Sequence, residues 1–228
     1  MKKANVTLPF TRRNFFDSFG KSLTSIFAIP YVFGAHQLSA QSGRKSEWNH
    51  TEEWFSKLKG SHRIVYDATS IHDGMSIVWS WVFLDSNNQT GSRDQDVTSM
   101  VVFRHNAFAL ALDDRIWSSY KLGKLLKIVN PGTGVPVTKN PYWNPPVGDM
   151  PESGMSVETL MARGAMFCVC ERSLSVNSAI VARNKNLRPE TVKQEWIDGM
   201  LPGVQLVPSG VWALERAQRN GCSYCFAG

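Results

Sequence analysis

The hydrophobic and polar positions along the chain alternate between two periods. Short runs rich in β-branched residues, such as "HRIVYDA" and "MVVF", have the length and composition of buried strands. Longer segments with apolar positions three or four residues apart separate them, as in "SIVWSWVFLDSNN" and "SLSVNSAIVARN". Strands that alternate with helices in this way predict an α/β fold, in which helices cover both faces of a mostly parallel sheet.

We expect five strands, with helices between them, in one domain over residues 61–228. The strand candidates in chain order are "HRIVYDATS", "VTSMVVFRHNA", "AMFCVC", "GVQLVPSG" and "CSYCFAG". A long Pro-rich loop, "NPGTGVPVTKNPYWNPPVGDMPESG", precedes the third strand, and loops of this length are usually lids, subunit contacts or linkers. Residues 41–60 combine a polar linker with a short amphipathic helix, which we expect to brace the domain.

The first 40 residues have the pattern of an export signal. A basic start, "MKKANVTLPFTRRNFF", precedes the apolar stretch "SLTSIFAIPYVFGA" and small residues near position 40. That stretch contains Pro30 and is too short to span a bilayer comfortably, which favours a cleavable signal over a permanent N-terminal anchor. Arg12 and Arg13 resemble the twin-arginine signal, which implies contact with the twin-arginine translocase and a periplasmic protein.

The positive charge of the chain does not point to nucleic acid. The formal net charge is +6, but residues 1–40 hold five basic residues against one acidic residue, and the rest of the chain is nearly balanced. A basic patch on the folded domain is therefore not expected, and we predict no nucleic-acid partner. No Gly-rich nucleotide fingerprint follows a strand, and we predict no cofactor.

Two cysteines in "GAMFCVCERSL" are assigned different roles by strand geometry. Cys168 and Cys170 point to the same face of a strand, with Cα atoms about 6.5–7 Å apart, at the limit of disulfide reach. Cys170 ends the strand, and the N–H groups that begin the next helix favour its thiolate. Cys170 is therefore our candidate nucleophile, with a buried structural cysteine as the alternative. Cys168 is interpreted as a small core residue.

A second pair of cysteines lies at the C-terminal end, in "NGCSYCFAG". Cys222 and Cys225 could be free thiols, a disulfide or redox pair closed within a turn, or part of a four-thiolate metal site with the first pair. The spacing is irregular for a zinc module, and we assign no metal ligand. The alternatives stay open at this level.

The strand ends select further candidates, because ligands bind beyond the carboxyl ends of strands in open parallel sheets. The selected positions are 67–70, His105 with Asn106, Cys170 with Glu171, and Ser209 with Gly210. His105 follows "MVVFR" on the side of the sheet where Cys170 is expected. It is our candidate for proton transfer to or from that thiol, with a purely structural histidine as the alternative.

The order of elements and several phrases resemble the DsrE/DsrF-like sulfur-relay family. The phrases are "HRIVYDA", "MVVFRHNAFALAL", "GAMFCVCERSL" and "LPGVQLVPSGVWALERAQRNGCSYCFAG", and together they cover roughly residues 60–228. The resemblance implies a flavodoxin-like, three-layer αβα domain with a mostly parallel five-stranded sheet, assembled as a homo-oligomer. It also implies a persulfide on the strand-end cysteine, the position of Cys170 in this chain.

Three hypotheses for function follow. The first is a periplasmic sulfur carrier, or sulfurtransferase-like protein, that holds a persulfide on Cys170 and exchanges sulfur with a donor or acceptor protein or a small sulfur compound. The second is a non-enzymatic oligomeric binding module that uses the Pro-rich loop. The third is a cysteine-based metal or redox protein. The distances between the sulfurs of Cys170, Cys222 and Cys225 should separate the third hypothesis from the others.

Overall fold

The computed structural model describes residues 48–146, 148–152 and 154–228. The predicted export signal over residues 1–40, with Arg12 and Arg13, lies outside the described residues, as do residues 41–47 of the linker. The strands are β1 (His62–Ala68), β2 (Val97–Phe103), β3 (Met166–Cys170), β4 (Gln205–Val207) and β5 (Ser223–Phe226). The helices are α1 (Asn49–Phe55), α2 (Met75–Gln89), α3 (Asp114–Tyr120), α4 (Leu122–Leu126), α5 (Val157–Ala162), α6 (Glu171–Lys185), α7 (Pro189–Asp198) and α8 (Gly210–Arg219).

The five strands form one parallel sheet with the order β4-β3-β2-β1-β5. Val101 of the central strand β2 pairs with Tyr66 of β1 on one side and with Phe167 of β3 on the other. Every residue of β2 is buried, as expected for a strand covered on both faces. The predicted flavodoxin-like αβα architecture is therefore confirmed.

Two apolar cores cover the two faces of the sheet. The helices that follow β1, β2 and β3 pack on one face, around large buried side chains such as Phe103, Phe108 and Trp196. The rings of Phe108 and Trp196 stack with centroids 5.1 Å apart. On the other face α1 and α8 pack against alternate strand residues, including Met100 and Cys168. Successive strand residues face opposite sides of the sheet. The face on which a strand residue lies can therefore be read from the core to which its neighbours two positions away belong.

The helix α1 packs on the thinner, two-helix face. Its Trp54 and Phe55 are buried, and the Phe55 ring meets Trp212 of α8 edge to face, with centroids 5.6 Å apart. Such aromatic pairs add about 0.5–1.5 kcal/mol to the gain from burial alone. The contact ties the start of the described chain to the layer that lies over Cys168.

The Pro-rich loop between α4 and α5 is held to the domain by a buried asparagine. The side-chain amide of Asn140 donates to the carbonyl oxygens of Leu110 and Leu112, at 3.0 and 2.9 Å. At Gly123 a side chain would lie 2.0 Å from the Val137 carbonyl oxygen, so the loop approaches α4 too closely for any residue but glycine. In the described ranges, no helix is long and apolar enough to cross a membrane.

Candidate functional site

The C-terminal edge of the sheet brings together residues from four strands on the face that carries α8. Asp67 of β1, Arg104 directly after β2 and Cys170 of β3 all lie on this face, because strand residues alternate between the two faces. Tyr224 of β5 also reaches the Asp67 carboxylate. Parallel strands all end at one edge, so residues far apart in sequence meet there. These four residues are called the edge site below.

Cys170 occupies the junction that the sequence predicted. It is the last residue of β3 and the N-cap of α6, and its Sγ accepts a hydrogen bond from the Ser173 N–H at 3.4 Å. The residue is 5% exposed, yet it belongs to neither apolar core. A sulfur that accepts an N–H at the start of a 15-residue helix lies where the helix dipole stabilises an anion.

His105 lies near this junction, and its backbone rather than its ring makes the contact with α6. Its N–H donates to Ser173 Oγ at 2.7 Å, and the Ser173 N–H in turn reaches Cys170. His105 adopts a left-handed conformation with φ 51°, and its side chain is exposed. Among the residues that the structure describes, its ring makes no hydrogen bond with Cys170. Proton transfer by His105 stays a prediction.

The charged part of the edge site is an ion pair between Arg104 and Asp67. The guanidinium donates two hydrogen bonds to the carboxylate, at 2.5 and 2.8 Å, and the Asp67 side chain is only 3% exposed. Tyr224 donates its hydroxyl to the same carboxylate at 2.9 Å. The hydrogen bond to Asp67 raises the pKa of Arg104 against the effect of burial, and a negative charge on Cys170 acts in the same direction.

The start of α8 positions Arg104 from the other side. A side chain at Gly210 would lie 2.8 Å from the Arg104 Cβ, so the absence of a side chain lets the helix begin directly against the arginine stem. Ser209 caps this helix by accepting a hydrogen bond from the Trp212 N–H at 3.3 Å. The arginine is therefore fixed by its salt bridge at one end and by close packing at the other.

Glu171 follows Cys170 directly, and its charge would oppose a thiolate if it were unpaired. Burial opposes ionisation of Glu171, but hydrogen bonds from Lys193 and Ser175 outweigh this effect and lower its pKa. Arg172 lies 3.9 Å away as a further cation. The carboxylate is therefore ionised and compensated by neighbouring positive charge.

The other three cysteines lie elsewhere. Cys168 is fully buried, and burial raises its pKa well above the usual value, so the prediction of a core role agrees with its position. Cys222 is buried before β5 on the α8 side, and burial raises its pKa to about 11. Cys225 lies on the opposite face, beside Tyr66. All four cysteines are free thiols, and a bond between Cys222 and Cys225 stays a prediction that this conformation does not contain.

The sulfurs do not converge on one point. Over the described ranges, no cluster of three or more histidine, cysteine, aspartate or glutamate side chains could hold a metal ion. Cys225 lies on the opposite face of the sheet from Cys170 and Cys222. Of the four edge-site residues only Cys170 carries a sulfur, and Cys168 lies two residues earlier on the same face, within the apolar core.

Three residues of the site were not selected from the sequence: Arg104, Ser173 and Tyr224. Arg104 directly follows a buried strand, one position before His105, so the rule that selected His105 also applied to it. Ser173 is the third residue after the cysteine, where an N-cap finds its N–H donor. Nothing local marks Tyr224, because its role depends on β5 lying beside β1.

A cavity of about 640 Å³ lies in the Pro-rich loop and includes no edge-site residue. Trp143, Pro146 and Val137 supply apolar walls, and Asp114 and Lys139 supply charge. The structure therefore separates two candidate regions, an anion-stabilising edge with a thiol and a groove framed by prolines.

Comparison with known proteins assigns no family. No family model and no curated protein matches this chain. Among solved structures, it is similar to a protein of unknown function, MTH1491 from Methanobacterium thermoautotrophicum, with 18% identity and a TM-score of 0.39. That match covers 73% of this chain and 99% of the other.

Proposed function

We propose that this protein is an exported sulfur carrier that holds a sulfane sulfur as a persulfide on Cys170. The observation that carries the proposal is the position of Cys170 Sγ, which accepts the Ser173 N–H at the start of α6. Arg104 lies close enough for its charge to interact with that of the sulfur. The proposal also draws on the sequence resemblance of the cysteine-bearing strand to sulfur-relay proteins.

The chemistry needs no oxidant beyond the donor itself. The Cys170 thiolate attacks the outer sulfur of thiosulfate, a new S–S bond forms, and sulfite leaves with the electron pair of the broken S–S bond. In the second half, a partner thiolate attacks the terminal sulfur of the persulfide, and Cys170 leaves as a thiolate. The reacting species in the two half-reactions are the Cys170 thiolate and the persulfide anion, whose charge lies on the terminal sulfur, one S–S bond of about 2 Å beyond Sγ. The helix start would stabilise both anions.

Limited access to Cys170 favours a small anionic donor. The residue is 5% exposed, and the charge of nearby Arg104 is already paired with Asp67. The Ser173 N–H at the start of α6 is the group that favours an anion, and a compact donor such as thiosulfate or a short polysulfide fits the narrow access better than a bulky neutral disulfide.

The direct test is mass spectrometry of the protein after incubation with thiosulfate or polysulfide. We expect one added sulfur atom on the peptide that contains Cys170, and its loss after treatment with a reducing thiol. Cys170→Ser keeps a preferred N-cap and should fold but not load sulfur. Cys168→Ala is the matched control and should load normally. An adduct that persists in Cys170→Ser, or none in the wild type, would refute the proposal.

The export part of the proposal is tested separately. It is supported by the sequence pattern over residues 1–40 and by the adjacent Arg12 and Arg13. Replacing both arginines by lysine keeps the charge, and we expect the protein to remain in the cytoplasmic fraction. Equal amounts in the periplasm with and without the arginines would remove the twin-arginine assignment and leave the sulfur chemistry untouched.

A second candidate function is a binding module built on the Pro-rich loop. It is favoured by the cavity in this loop and by Asn140, which fixes the loop to the domain core. On this hypothesis Cys170→Ser keeps cellular function and Trp143→Ala removes it. On the sulfur-carrier proposal, Cys170→Ser removes cellular function and Trp143→Ala keeps it.

A further inference from the structure

The strand β5 leaves one edge of the sheet open. It pairs with β1 along Ser223–Phe226, and among the described residues no strand pairs with its other side. An edge strand presents N–H and C=O groups that can pair with a strand of another chain.

The hydrogen bonds to β1 fix the direction of each backbone group. The Ala227 N–H donates to the Asp67 carbonyl oxygen at 2.9 Å, so Ala227 faces β1. Because backbone groups alternate along a strand, Cys225 also faces β1, whereas Tyr224 and Phe226 direct their N–H and C=O groups to the open edge. Two outward residues therefore flank one inward residue.

The side chains of β5 do not protect this edge. Tyr224 and Phe226 are 49% and 56% exposed, and the strand contains no charged residue and no proline. Natural edges that stay unpaired usually carry such residues or a bulge. Within the part of the chain that the structure describes, the open edge of β5 therefore carries exposed aromatic side chains and no pairing strand.

We propose that β5 pairs in antiparallel orientation with β5 of a second copy of this chain, about a two-fold axis at Cys225, so that one sheet runs through a homodimer. In this register Tyr224 lies opposite Phe226 of the partner subunit, and these outward residues exchange both backbone hydrogen bonds. The same pair forms again on the other side of the axis.

A second copy fits this edge because the edge is complementary to itself. The outward residues are symmetric about Cys225, so a two-fold axis satisfies all four outward N–H and C=O groups of each β5 at once. The pairing places aromatic side chains opposite each other and brings no like charges together. An unrelated strand would need to match this short pattern by chance.

The register makes Cys225 a reporter of the interface. In an antiparallel pair, the residues that do not exchange hydrogen bonds have Cα atoms about 4.5 Å apart, which is within disulfide reach. Cys225 Sγ lies 3.7 Å from the Phe226 carbonyl oxygen, which points to the open edge. Cys222 is buried before the strand begins and has no equivalent position.

The first test is oxidation of the purified protein with diamide, which takes up the two electrons and two protons of two thiols. We expect a disulfide-linked dimer on a non-reducing gel. Cys225→Ser should abolish it, and Cys222→Ala should leave it unchanged. No covalent dimer in the wild type, or a dimer that persists without Cys225, overturns the proposal.

The second test measures association under reducing conditions by sedimentation. Phe226→Pro removes an outward N–H and keeps the bonds to β1, and proline is tolerated at such an edge position. We expect dimeric wild type, monomeric Phe226→Pro and dimeric Tyr224→Phe, which keeps the backbone donors. A monomeric wild type, or a dimer that survives Phe226→Pro, contradicts the proposal. If circular dichroism shows that Phe226→Pro is unfolded, the Cys225 cross-link decides.

Discussion

Removing the guanidinium of Arg104 should destabilise the fold far more than removing an exposed arginine. Arg104→Met leaves the Asp67 carboxylate buried, 3% exposed, and among the described residues the Tyr224 hydroxyl is then its one side-chain donor. Breaking a buried ion pair from one side typically costs about 3–5 kcal/mol, a large share of the roughly 5–15 kcal/mol by which domains are stable. We therefore expect a loss near the lower end, about 3 kcal/mol, because Arg104 itself is partly exposed.

Urea unfolding followed by circular dichroism measures this loss. With a slope of about 2 kcal/mol/M, a loss of about 3 kcal/mol lowers the midpoint by about 1.5 M. The matched control is Arg93→Met, which breaks a surface pair with Asp96, where the N–O distance is 3.1 Å. Exposed pairs contribute about 0–1 kcal/mol, so this midpoint should move by less than about 0.5 M.

A double-mutant cycle shows whether the loss belongs to the pair. Asp67→Asn combined with Arg104→Met should cost less than the sum of the single changes by at least about 1 kcal/mol, since the second change removes a charge already left unpaired. Additive effects, or an Arg104→Met midpoint equal to that of the Arg93→Met control, would refute this account of the edge site.

Three further predictions concern other parts of the molecule. Asn140→Ala leaves two buried carbonyl groups without their side-chain donor, and it should lower the free energy of unfolding by about 1–3 kcal/mol and speed proteolysis of the Pro-rich loop. Unchanged cleavage contradicts the anchoring role. Cys222, whose pKa burial raises to about 11, should alkylate at pH 8 at least about tenfold more slowly in the native than in the unfolded protein, by peptide mass spectrometry, and equal rates would contradict its burial. The hydrogen bonds from Arg163 lower the pKa of Asp94, so their stabilisation is present above the unfolded pKa and is lost as the pH falls through the lowered value. Arg163→Gln should therefore cost about 0.5–1 kcal/mol more at pH 7 than in strong acid, where the loss of the hydrogen bond to Asn88 remains, and a difference in unfolding that is constant with pH would contradict this.

Local pattern was sufficient for the strands of this fold and for the position of Cys170 at a strand–helix junction. Strand length, helical spacing and the junction at "CVCERS" depend on neighbouring residues, and each of the five expected strands is present. The position of Cys170 as a helix N-cap follows from the same local sequence. This geometry does not depend on the resemblance to a sulfur-relay family.

The charged half of the edge site could not be predicted, because it depends on strand order. Arg104 meets Asp67 because β2 lies beside β1, and Tyr224 joins them because β5 adds beside β1 rather than beyond β4. Hydrophobic periodicity contains no information about which strands are neighbours. His105 illustrates the same limit at short range, since a left-handed backbone leaves its side chain exposed and directs its N–H to Ser173.

If Cys170 carries sulfur as proposed, its chemistry is connected to the local unfolding of a helix. The same Sγ atom that would carry sulfur also accepts the Ser173 N–H that begins α6. Changing the charge or size of this atom changes a cap, and caps contribute about 0.5–2 kcal/mol to helix stability. Amide hydrogen exchange at the first turn of α6 should therefore differ between the empty and loaded protein. A partner protein could in this way distinguish the sulfur-loaded protein from the empty one by how well the first turn of α6 is ordered, without contacting the sulfur.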